Sequence, residues 1–358
     1  MAVESLKNLR DEIKKKDGMI MELLNQRAKI SIEVGRIKDE QGLNVYNPSR
    51  ESMVYDYLTE INGGPLPDNA IKNIFREIIS ASRAMQAQTT AAYLGPEASF
   101  THLAAQSHFG KSVTGFPQSS ISDVFDEAEK GKIQWGVVPV ENSLEGSINL
   151  TMDRLISTPL NIRAEIFLRI THSLLSAGKK TGGIKKVYSH PQALAQCQSW
   201  LRKHLPHCSL HEAESTAAAA RMVSENKEWA AIGSSLAARV YGLNIIEEGI
   251  QDSPFNTTRF LIIGSGKSEP SGRDKTSILF GTSHTPGALY KSMEPFARED
   301  INLLKIESYP MRGRMWEYLF FVDFAGHEED SSVKTCLADL KKFSSFMKML
   351  GSYPNGGK

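Results

Sequence analysis

Apolar residues recur at helical spacing through the first forty residues of the chain, and no proline interrupts them. They are Leu6, Leu9, Ile13, Ile20, Leu23, Leu24, Ile30 and Val34. The pattern predicts one helix from about Ser5 to Glu40. At 1.5 Å per residue it would span roughly 50 Å, which is too long for a small isolated domain, so we expect it to pack against a partner chain.

Two further helices are predicted before residue 90. Asn47-Pro48 supplies a cap and a first-turn proline for a helix that ends near Ile61, before the break at Gly63-Gly64-Pro65. Pro67-Asp68 begins a third helix that ends near Gln86. Its apolar stripe consists of Ile71, Ile74, Ile78 and Met85.

Beyond Thr89 short β-rich runs alternate with helical ones, which indicates parallel α/β sheets. The runs are Ala91–Gly95, Trp135–Glu141, Lys186–Ser189, Ala230–Gly233 and Arg259–Gly264. A weak internal echo, in which a strand, a tight turn and a proline precede a helix at both Tyr93 and Tyr188, predicts two similar lobes with a ligand cleft between them.

The last ninety residues follow a different order. Residues 265–275 are rich in Gly, Ser, Pro and charge, which predicts a linker. A β–α–β–β–α–β succession follows, typical of a ferredoxin-like α+β domain. Its segments are a strand at Thr276–Thr282, a helix from Pro286, strands at Leu303–Ser308 and Tyr318–Phe324, a helix at Ser331–Phe343 and a strand near Met347.

Composition narrows the classes of function. A chain of 358 residues predicts two or three domains, and a formal charge of +1 provides no global field for nucleic acid or anionic lipid. The N-terminus lacks an apolar signal core, and no stretch approaches the ~20 apolar residues of a membrane span. The three cysteines form no even disulfide framework. We therefore expect a cytoplasmic protein that binds neither nucleic acid nor membrane.

Several charges are placed as if they faced inward. Arg27 and Lys38 fall in the middle of the apolar stripe of the first helix, and Arg10 lies along its edge. A buried cation costs several kcal/mol unless an anion meets it. Internal pairs are one explanation, with Asp17, Glu22, Glu33 or Glu51 as partners. We favour a pocket for a small dicarboxylate, because Arg10, Arg27, Lys38 and Arg50 outnumber the well-placed acids.

These positions resemble the all-helical chorismate mutases over residues 1–88. The matching pattern is Leu6-x-x-Leu9-Arg10, Asp17, Leu23-Leu24-x-x-Arg27, Glu33-Val-Gly-x-x-Lys38, Arg50-Glu51 and Ser82-x-x-x-Gln86. The resemblance implies an all-α domain, a homodimer or higher oligomer, and a Claisen rearrangement of chorismate to prephenate that needs only orientation and charge stabilisation.

The same resemblance implies the roles of the residues. Lys38 and Gln86 would donate to the ether oxygen of chorismate, and Glu51 would accept from its hydroxyl. Arg10, supplied by the other subunit, and Arg27 would hold carboxylates. Asn47 stands where the best-known members have aspartate, and it would complete the substrate pocket with Arg50 and Ser82.

Residues 90–266 resemble the prephenate dehydratases, which implies two α/β lobes like those of periplasmic binding proteins. Turns leading into helix N-termini supply the candidate substrate-binding residues, because free backbone N–H groups there suit carboxylates. These are Ser99, Asn142, Ser143, Ser189, His190, Gln192, Ser215 and Thr216, with Arg259 and Phe260 from the triplet Thr258-Arg259-Phe260. The family often has glycine at the position of Ala98 and threonine at that of Ser99.

Thr258 is the predicted catalytic residue of this segment, since the family's threonine is central to catalysis. Aromatisation of prephenate couples loss of a carboxylate to departure of the ring hydroxyl, and a donor such as Thr258 helps that hydroxyl to leave. We expect no metal and no organic cofactor. His204, His207, Cys208 and His211 suggest a zinc site, but Pro206 breaks their spacing.

Residues 275–352 resemble an ACT domain, the small-molecule sensor of amino-acid enzymes. Gly287-Ala288-Leu289 and Glu307-Ser308, the latter within Ile306–Pro310, are the predicted allosteric residues, with L-phenylalanine as the effector at a dimer interface. A plain dimerisation module is the alternative. The phenylalanine-responsive members have arginine where this chain has Tyr309, although Arg312 and Arg314 are close.

The three segments together predict a bifunctional enzyme that converts chorismate to prephenate and then to phenylpyruvate, with feedback inhibition of the dehydratase by L-phenylalanine. One alternative is a dehydratase whose helical segment only dimerises. Another is a solute-binding protein with helical and ferredoxin-like oligomerisation modules.

Overall fold

The computed structural model describes residues 2–283, 285–310 and 318–356. Arg312 and Arg314, which we considered beside the effector motif, lie outside these residues. The chain divides into two compact units, of which the first contains residues 1–47, 54–89 and 109–114 and the second contains the rest. Within the described residues, no helix combines the length and apolarity needed to cross a membrane.

Three helices build the first unit, and all three were predicted. They are α1 (Ala2–Glu40), α2 (Pro48–Glu60) and α3 (Asp68–Gln86), although residues 48–53 of α2 group with the second unit. Helix α1 packs along α3. Its apolar stripe nevertheless stays exposed in the single chain, with Leu9 at 55%, Ile13 at 60% and Ile30 at 66%.

The second unit begins with two lobes. The first lobe is built from β1 (Thr90–Leu94), α4 (Phe100–Phe109), β2 (Thr114–Gln118), α5 (Ile121–Glu129), β3 (Trp135–Asn142), β4 (Gly146–Ser147), α6 (Asn149–Ser157) and β5 (Asn161–Arg169). The second lobe begins with β6 (Ser173–Ser176), a 3₁₀ turn (Thr181–Gly183), β7 (Lys186–Ser189), α7 (Pro191–Gln196), α8 (Gln198–His204) and β8 (Ser209–Glu212). It ends with α9 (Thr216–Val223), β9 (Trp229–Gly233), α10 (Ser235–Val240) and β10 (Asn244–Glu248).

The chain then returns to the first lobe as β11 (Thr257–Gly264), which inserts between β3 and β5. The strand orders are β2-β1-β3-β11-β5 in the first lobe and β10-β6-β9-β7-β8 in the second. Both sheets are mixed rather than parallel as predicted. Strand β11 runs antiparallel to both neighbours because it enters from the other lobe, and β6 runs antiparallel to β9 and β10.

The two crossings between the lobes lie side by side. The amide of Ile170 donates to the carbonyl of Asn256 at 2.8 Å, and the amide of Ile250 donates to the carbonyl of His172 at 3.0 Å. The backbone from β5 to β6 is therefore hydrogen-bonded to the backbone from β10 to β11 at the base of the cleft.

The remaining elements follow the predicted succession: β12 (Asp274–Thr282), α11 (Ala288–Arg298), β13 (Leu303–Pro310), β14 (Tyr318–Ala325), α12 (Ser331–Phe343) and β15 (Ser344–Pro354). The antiparallel sheet has the order β13-β14-β12-β15, so β13 is an edge strand. Phe280, Phe296 and Phe324 fill the core between this sheet and its two helices.

The opposite face of this sheet packs on the first lobe, and the two share one hydrophobic core. Leu279, Phe321 and Tyr353 pack in the same cluster as Val138 and Leu261. Gly351 allows the backbones to approach closely, since a Cβ there would lie 2.3 Å from the carbonyl oxygen of Ile162. Its φ of +146° also lies outside the range that L side chains favour.

Candidate active sites

A polar cluster joins α1 to α3 in the first unit. Arg27 donates from Nη1 to Ser82 Oγ at 2.7 Å, and Ser82 Oγ donates to the carbonyl of Ile78 at 2.8 Å. Gln86, one turn beyond Ser82, donates to the carbonyl of Ser82, and its Oε1 is buried with no hydrogen-bond partner in the described part of the chain. A buried amide oxygen left this way is costly, which is typical of a group that meets a ligand.

Gly35 explains how Gln86 reaches this position. A Cβ at residue 35 would lie 2.6 Å from Gln86 Cγ, so only glycine leaves room for the side chain of Gln86 against α1. Lys38 lies three residues beyond Gly35, on the same face of the helix as Arg27. Its Nζ donates to the carbonyl of Val45 at 2.8 Å. The structure thus gathers four predicted residues, Arg27, Lys38, Ser82 and Gln86, along one face of α1 and α3.

The other predicted mutase residues lie further along the chain. Arg10 is exposed on α1, seventeen residues before Arg27, which corresponds to about 25 Å along the helix axis. Asn47 directly precedes α2, and Arg50 and Glu51 lie in its first turn.

A cavity of about 1100 Å³ lies between the two lobes of the second unit. The N-termini of α4, α7 and α9 border it, and a helix N-terminus favours an anion. The predicted residues that line it are Ser99, Asn142, His190, Gln192, Ser215, Thr216, Thr258 and Phe260. Eight of the predicted residues therefore lie along the wall of this cavity.

Caps hold two of these turns in place. Ser215 Oγ accepts from the amide of Ala218, and His190 Nδ1 accepts from the amide of Gln192. Gln192 in turn donates to Glu145 from the opposite lobe. Ala98 has a φ of +66°, which explains why glycine suits that position, since an L residue in this region is strained.

Thr258 lies on β11 beside Asn142, the last residue of β3. Asn142 Nδ2 donates to Thr258 Oγ1 at 2.8 Å, and the Oδ1 of Asn142 accepts from the amide of Leu144 at 2.9 Å. This backbone contact helps to fix the orientation of the Asn142 amide. A hydroxyl that accepts from an amide keeps its own proton for donation elsewhere.

Two predicted residues face away from the cavity wall. Ser143 Oγ donates to the carbonyl of Phe255 and accepts from the amide of Thr257, so it clamps the start of β11. Ser189 is fully buried at the end of β7, and its Oγ donates to the carbonyl of Ile232. Both side chains stabilise the loops that carry their neighbours in the cavity.

Arg259 does not reach the cavity, contrary to its predicted role in substrate binding. Side chains alternate along a strand, so Arg259 lies on the face of β11 opposite Thr258. It is 4% exposed and pairs with Glu165 at 2.8 Å and Asp323 at 2.6 Å. Lys275 pairs with the other oxygen of Glu165 at 2.7 Å. Two cations and two acids thus balance in the shared core of the first lobe and the C-terminal sheet.

Arg221, His172 and Gln196 are among the cavity residues that the sequence analysis missed. Arg221 lies on α9 at the cavity wall, where a guanidinium suits a carboxylate. His172 lies at the crossing between β5 and β6, and Gln196 lies at the end of α7. Gln196 lies less than two helical turns after His190, on the helix α7 that begins at this predicted turn. That spacing could have identified Gln196 from the sequence.

The C-terminal motif residues lie at two places. Gly287, with a φ of +79°, caps the N-terminus of α11, which begins at Ala288 and Leu289. Glu307 and Ser308 lie on the edge strand β13. Tyr309 is buried against the first lobe, where its hydroxyl donates to Asp153 Oδ1 at 2.5 Å.

The suspected zinc residues make separate contacts. His204 stacks on Trp200, His211 meets Ser209 Oγ, and Cys208 Sγ donates to the carbonyl of Ile184. No group of three or more potential metal ligands occurs among residues 2–283, 285–310 and 318–356.

Comparison with known proteins covers nearly the whole chain. Residues 9–87 match the model of chorismate mutase type II, and residues 91–268 match that of prephenate dehydratase. Bifunctional chorismate mutase/prephenate dehydratases from Aquifex aeolicus and Stutzerimonas stutzeri are 46% and 41% identical, over 98% of this chain and 98% of theirs.

A solved structure matches three quarters of the chain. The prephenate dehydratase from Arthrobacter aurescens, crystallised in complex with L-Phe, is 34% identical, with a TM-score of 0.68. The match covers 75% of this chain and 90% of that one.

Proposed function

The chain belongs to the bifunctional chorismate mutase/prephenate dehydratases, and we propose here which of its residues carry each activity and how the second activity is regulated. The protein isomerises chorismate to prephenate and converts prephenate to phenylpyruvate on the route to phenylalanine. The match of residues 9–87 to chorismate mutases favours two activities over a dehydratase with a dimerisation module, and the family membership sets aside a solute-binding protein.

We propose that the mutase site is the cluster on α1 and α3. Arg27 holds a carboxylate of chorismate, and Ser82 fixes the guanidinium through its 2.7 Å hydrogen bond. Lys38 and Gln86 donate to the ether oxygen as its bond breaks, so that they stabilise charge that develops in the transition state. Glu51 accepts from the substrate hydroxyl, and Asn47 and Arg50 complete the pocket.

A second copy of the chain completes this site in our proposal. Arg10 is about 25 Å from Arg27 along the same helix, too far for both to hold one small dicarboxylate. The exposed stripe of α1, which includes Leu9 and Ile30, is the surface that a second α1 would bury. We therefore propose a homodimer or higher homo-oligomer in which Arg10 reaches the partner's site.

We propose that the dehydratase site is the cavity between the lobes. The helix N-termini at Ser99, His190 and Ser215 meet the carboxylates of prephenate, together with Arg221. Thr258 donates to the ring hydroxyl. As the ring carboxylate leaves as carbon dioxide, its bonding electrons aromatise the ring and expel that hydroxyl, and solvent supplies the proton that completes water.

The observation that carries this assignment is the 2.8 Å hydrogen bond from Asn142 to Thr258 Oγ1, which leaves the Thr258 proton for the substrate. The test is one assay of the full chain with chorismate and no added metal or cofactor. Loss of chorismate with appearance of phenylpyruvate supports both sites. Accumulation of prephenate alone contradicts the dehydratase assignment.

We propose that residues 275–352 form an ACT domain that binds L-phenylalanine and lowers dehydratase activity. The domain boundaries in this proposal are 1–88, 90–266 and 275–352. The relative from Arthrobacter aurescens was crystallised with L-Phe, and the effector motif here combines the N-terminus of α11, at Gly287, Ala288 and Leu289, with Glu307 and Ser308 on β13. An edge strand leaves β13 able to meet a second copy.

Contacts from β13 to the first lobe give this regulation a physical route. Lys305 pairs with Glu141 at 2.7 Å, and Glu141 directly precedes Asn142, the donor to Thr258. Tyr309 contacts Asp153 on α6. Saturating L-phenylalanine is expected to slow dehydration and leave the mutase rate mostly intact. Equal dehydratase rates with and without L-phenylalanine would remove the sensor proposal.

The three cysteines are free thiols in the structure, which fits a reducing compartment, and we propose the cytoplasm as the location.

A further inference from the structure

The hydrogen bonds behind Thr258 continue beyond Asn142. Asn142 Nδ2 also donates to Asn256 Oδ1 at 2.9 Å, and Asn256 Nδ2 donates to Gln196 Oε1 at 3.0 Å. His172 Nε2 lies 2.9 Å from the same Gln196 Oε1. Thr258 and His172 are therefore the two ends of a series of hydrogen bonds that passes through three side-chain amides.

The donors and acceptors in this series of hydrogen bonds follow one defined direction. Gln196 Oε1 has no proton to give, so His172 must carry its ring proton on Nε2 and donate it. Were Gln196 to turn and offer its NH₂ group, two donors would face each other at Asn256. The amide of Asn256 and then that of Asn142 would also have to turn, up to the contact with Thr258. The proton on His172 Nε2 therefore helps to fix the orientation of every amide between it and the hydroxyl.

His172 is itself held by the backbone at the crossing between the lobes. Its amide donates to Gln251 Oε1 at 2.9 Å, and its carbonyl accepts from the amides of Gly249 and Ile250. Gln196 lies on α7 of the second lobe, whereas Asn256, Asn142 and Thr258 lie where β11 enters the first lobe and meets β3. These hydrogen bonds thus connect the second lobe to the hydroxyl of Thr258 in the first lobe.

The other ring nitrogen of His172 supports a functional role. Residue 172 is 3% exposed, and its Nδ1 is buried without a hydrogen-bond partner in the described part of the chain. Burial lowers the pKa of His172, which favours the neutral ring, and in that form Nδ1 is a bare acceptor while Nε2 donates. An unpaired buried nitrogen costs free energy that a leucine of similar volume would not. Packing alone does not explain a histidine here.

We propose that His172 is a positioning residue of the dehydratase. By donating from Nε2 to Gln196 Oε1, it holds Asn256 and Asn142 in the orientation that leaves the Thr258 proton for the substrate hydroxyl. The inference rests on the proposed role of Thr258 and adds the residue that sets the direction of its hydrogen bonds.

The test compares His172→Gln, His172→Asn and His172→Leu in the full chain, with prephenate as substrate. The glutamine NH₂ group reaches the position of Nε2, whereas the asparagine NH₂ group reaches only that of Nδ1. We expect His172→Gln to keep kcat within about twofold, and His172→Asn and His172→Leu to lower it about tenfold, with KM little changed. That fold-change corresponds to one lost neutral hydrogen bond. His204→Leu, on the exposed end of α8, is the matched control and is expected to leave kcat unchanged.

A second comparison separates positioning from packing. In a Thr258→Ala background, His172→Asn is expected to cause no further loss of kcat, because the hydroxyl that the chain orients is absent. The inference is overturned if His172→Asn equals the wild type, if His172→Gln falls as far as His172→Asn, or if the two losses multiply. Full activity in Thr258→Ala alone would overturn the proposed role of Thr258 and this inference with it. A normal His172→Asn beside an inactive Thr258→Ala would overturn the inference alone.

Discussion

The two units of this protein bury their functional residues in different ways. In the second unit a single chain supplies the cavity walls and a closed core, and Thr258 is 8% exposed. In the helical unit α1 leaves Leu9 and Ile30 more than half exposed, and Arg10 is about 25 Å from Arg27. The exposed stripe of α1 fits the proposed mutase site, which needs a second chain, whereas the two-lobed unit supplies every wall of the proposed dehydratase site from one chain.

The units also differ in how their cations are balanced. Arg259 and Lys275 are buried, and two acids of the same unit, Glu165 and Asp323, neutralise them. Arg27 is met by a neutral hydroxyl, that of Ser82. A buried cation that is paired with acids serves the fold, because removal of a partner leaves an uncompensated buried charge, while a cation held by a hydroxyl remains available to a ligand.

The strongest test of this contrast is Asp323→Ala. It leaves the buried Arg259 with one acid fewer, and breaking a buried pair costs about 3–5 kcal/mol of unfolding free energy. Asp339→Ala removes a surface acid of α12 that pairs with Arg298, and we expect a much smaller change. Urea denaturation of the full chain measures both. Equal midpoints for the two variants would contradict a structural role for the buried network.

The next test removes one of the two activities at a time. Lys38→Ala is expected to lower mutase kcat by about 10²–10³, the loss that follows removal of one donor to a developing anion, and to spare the dehydratase. Thr258→Ala is expected to do the reverse. Both rates are measured on one preparation of each variant, so each activity is the folding control for the other. Loss of both rates in a folded variant would disprove separate sites.

A third test asks whether the mutase site is shared between chains. Arg10→Ala and Lys38→Ala each disable a different half of the proposed site. When the variants are mixed and allowed to exchange subunits, half of the dimers pair unlike chains, and one of their two sites is intact. Mutase activity is then expected to recover to about a quarter of the wild-type value. A mixture that stays inactive despite confirmed exchange would place Arg10 in the site of its own chain.

The smallest expected effect is that of Ala98→Gly at the cavity turn. Glycine relieves a φ of +66°, which costs an L residue about 1–2 kcal/mol, but it also removes a buried methyl group and adds flexibility to the unfolded chain. We expect a net change within about 1 kcal/mol and an unchanged dehydratase KM. Calorimetry and initial rates measure the two quantities. A large loss of substrate affinity would show that the methyl group shapes the cavity.

Much of the fold follows from local patterns. The three N-terminal helices and the C-terminal β–α–β–β–α–β succession agree with the predictions because each is signalled by periodicity, caps and breakers along a continuous segment. Strands such as β6 and β10 were missed, since they have only four and five residues. The direction of β11 was also beyond a local signal, because it depends on where the chain has been between residues 170 and 256.

The predicted site residues likewise divide into those that local motifs identify and those whose contacts depend on the fold. Thr258, Asn142 and Ser215 were recognised from their motifs, and they line the cavity. Arg259 belongs to the same triplet as Thr258, yet strand alternation turns it into the core, and that alternation was readable in the sequence. His172 has no motif around it, and only the distance from its Nε2 to Gln196 gives it a role.

The amino-acid sequence is enough to identify the family, the succession of elements and the residue types that the two reactions need, because these depend on local propensity and on spacing along the chain. Which side chains meet depends on the packed fold. It brought Asn142, Gln196 and His172 to Thr258, and it joined Arg259 to Asp323 across the shared core. Those contacts depend on strand direction and on the face that each side chain takes, which are fixed only when distant segments pack together.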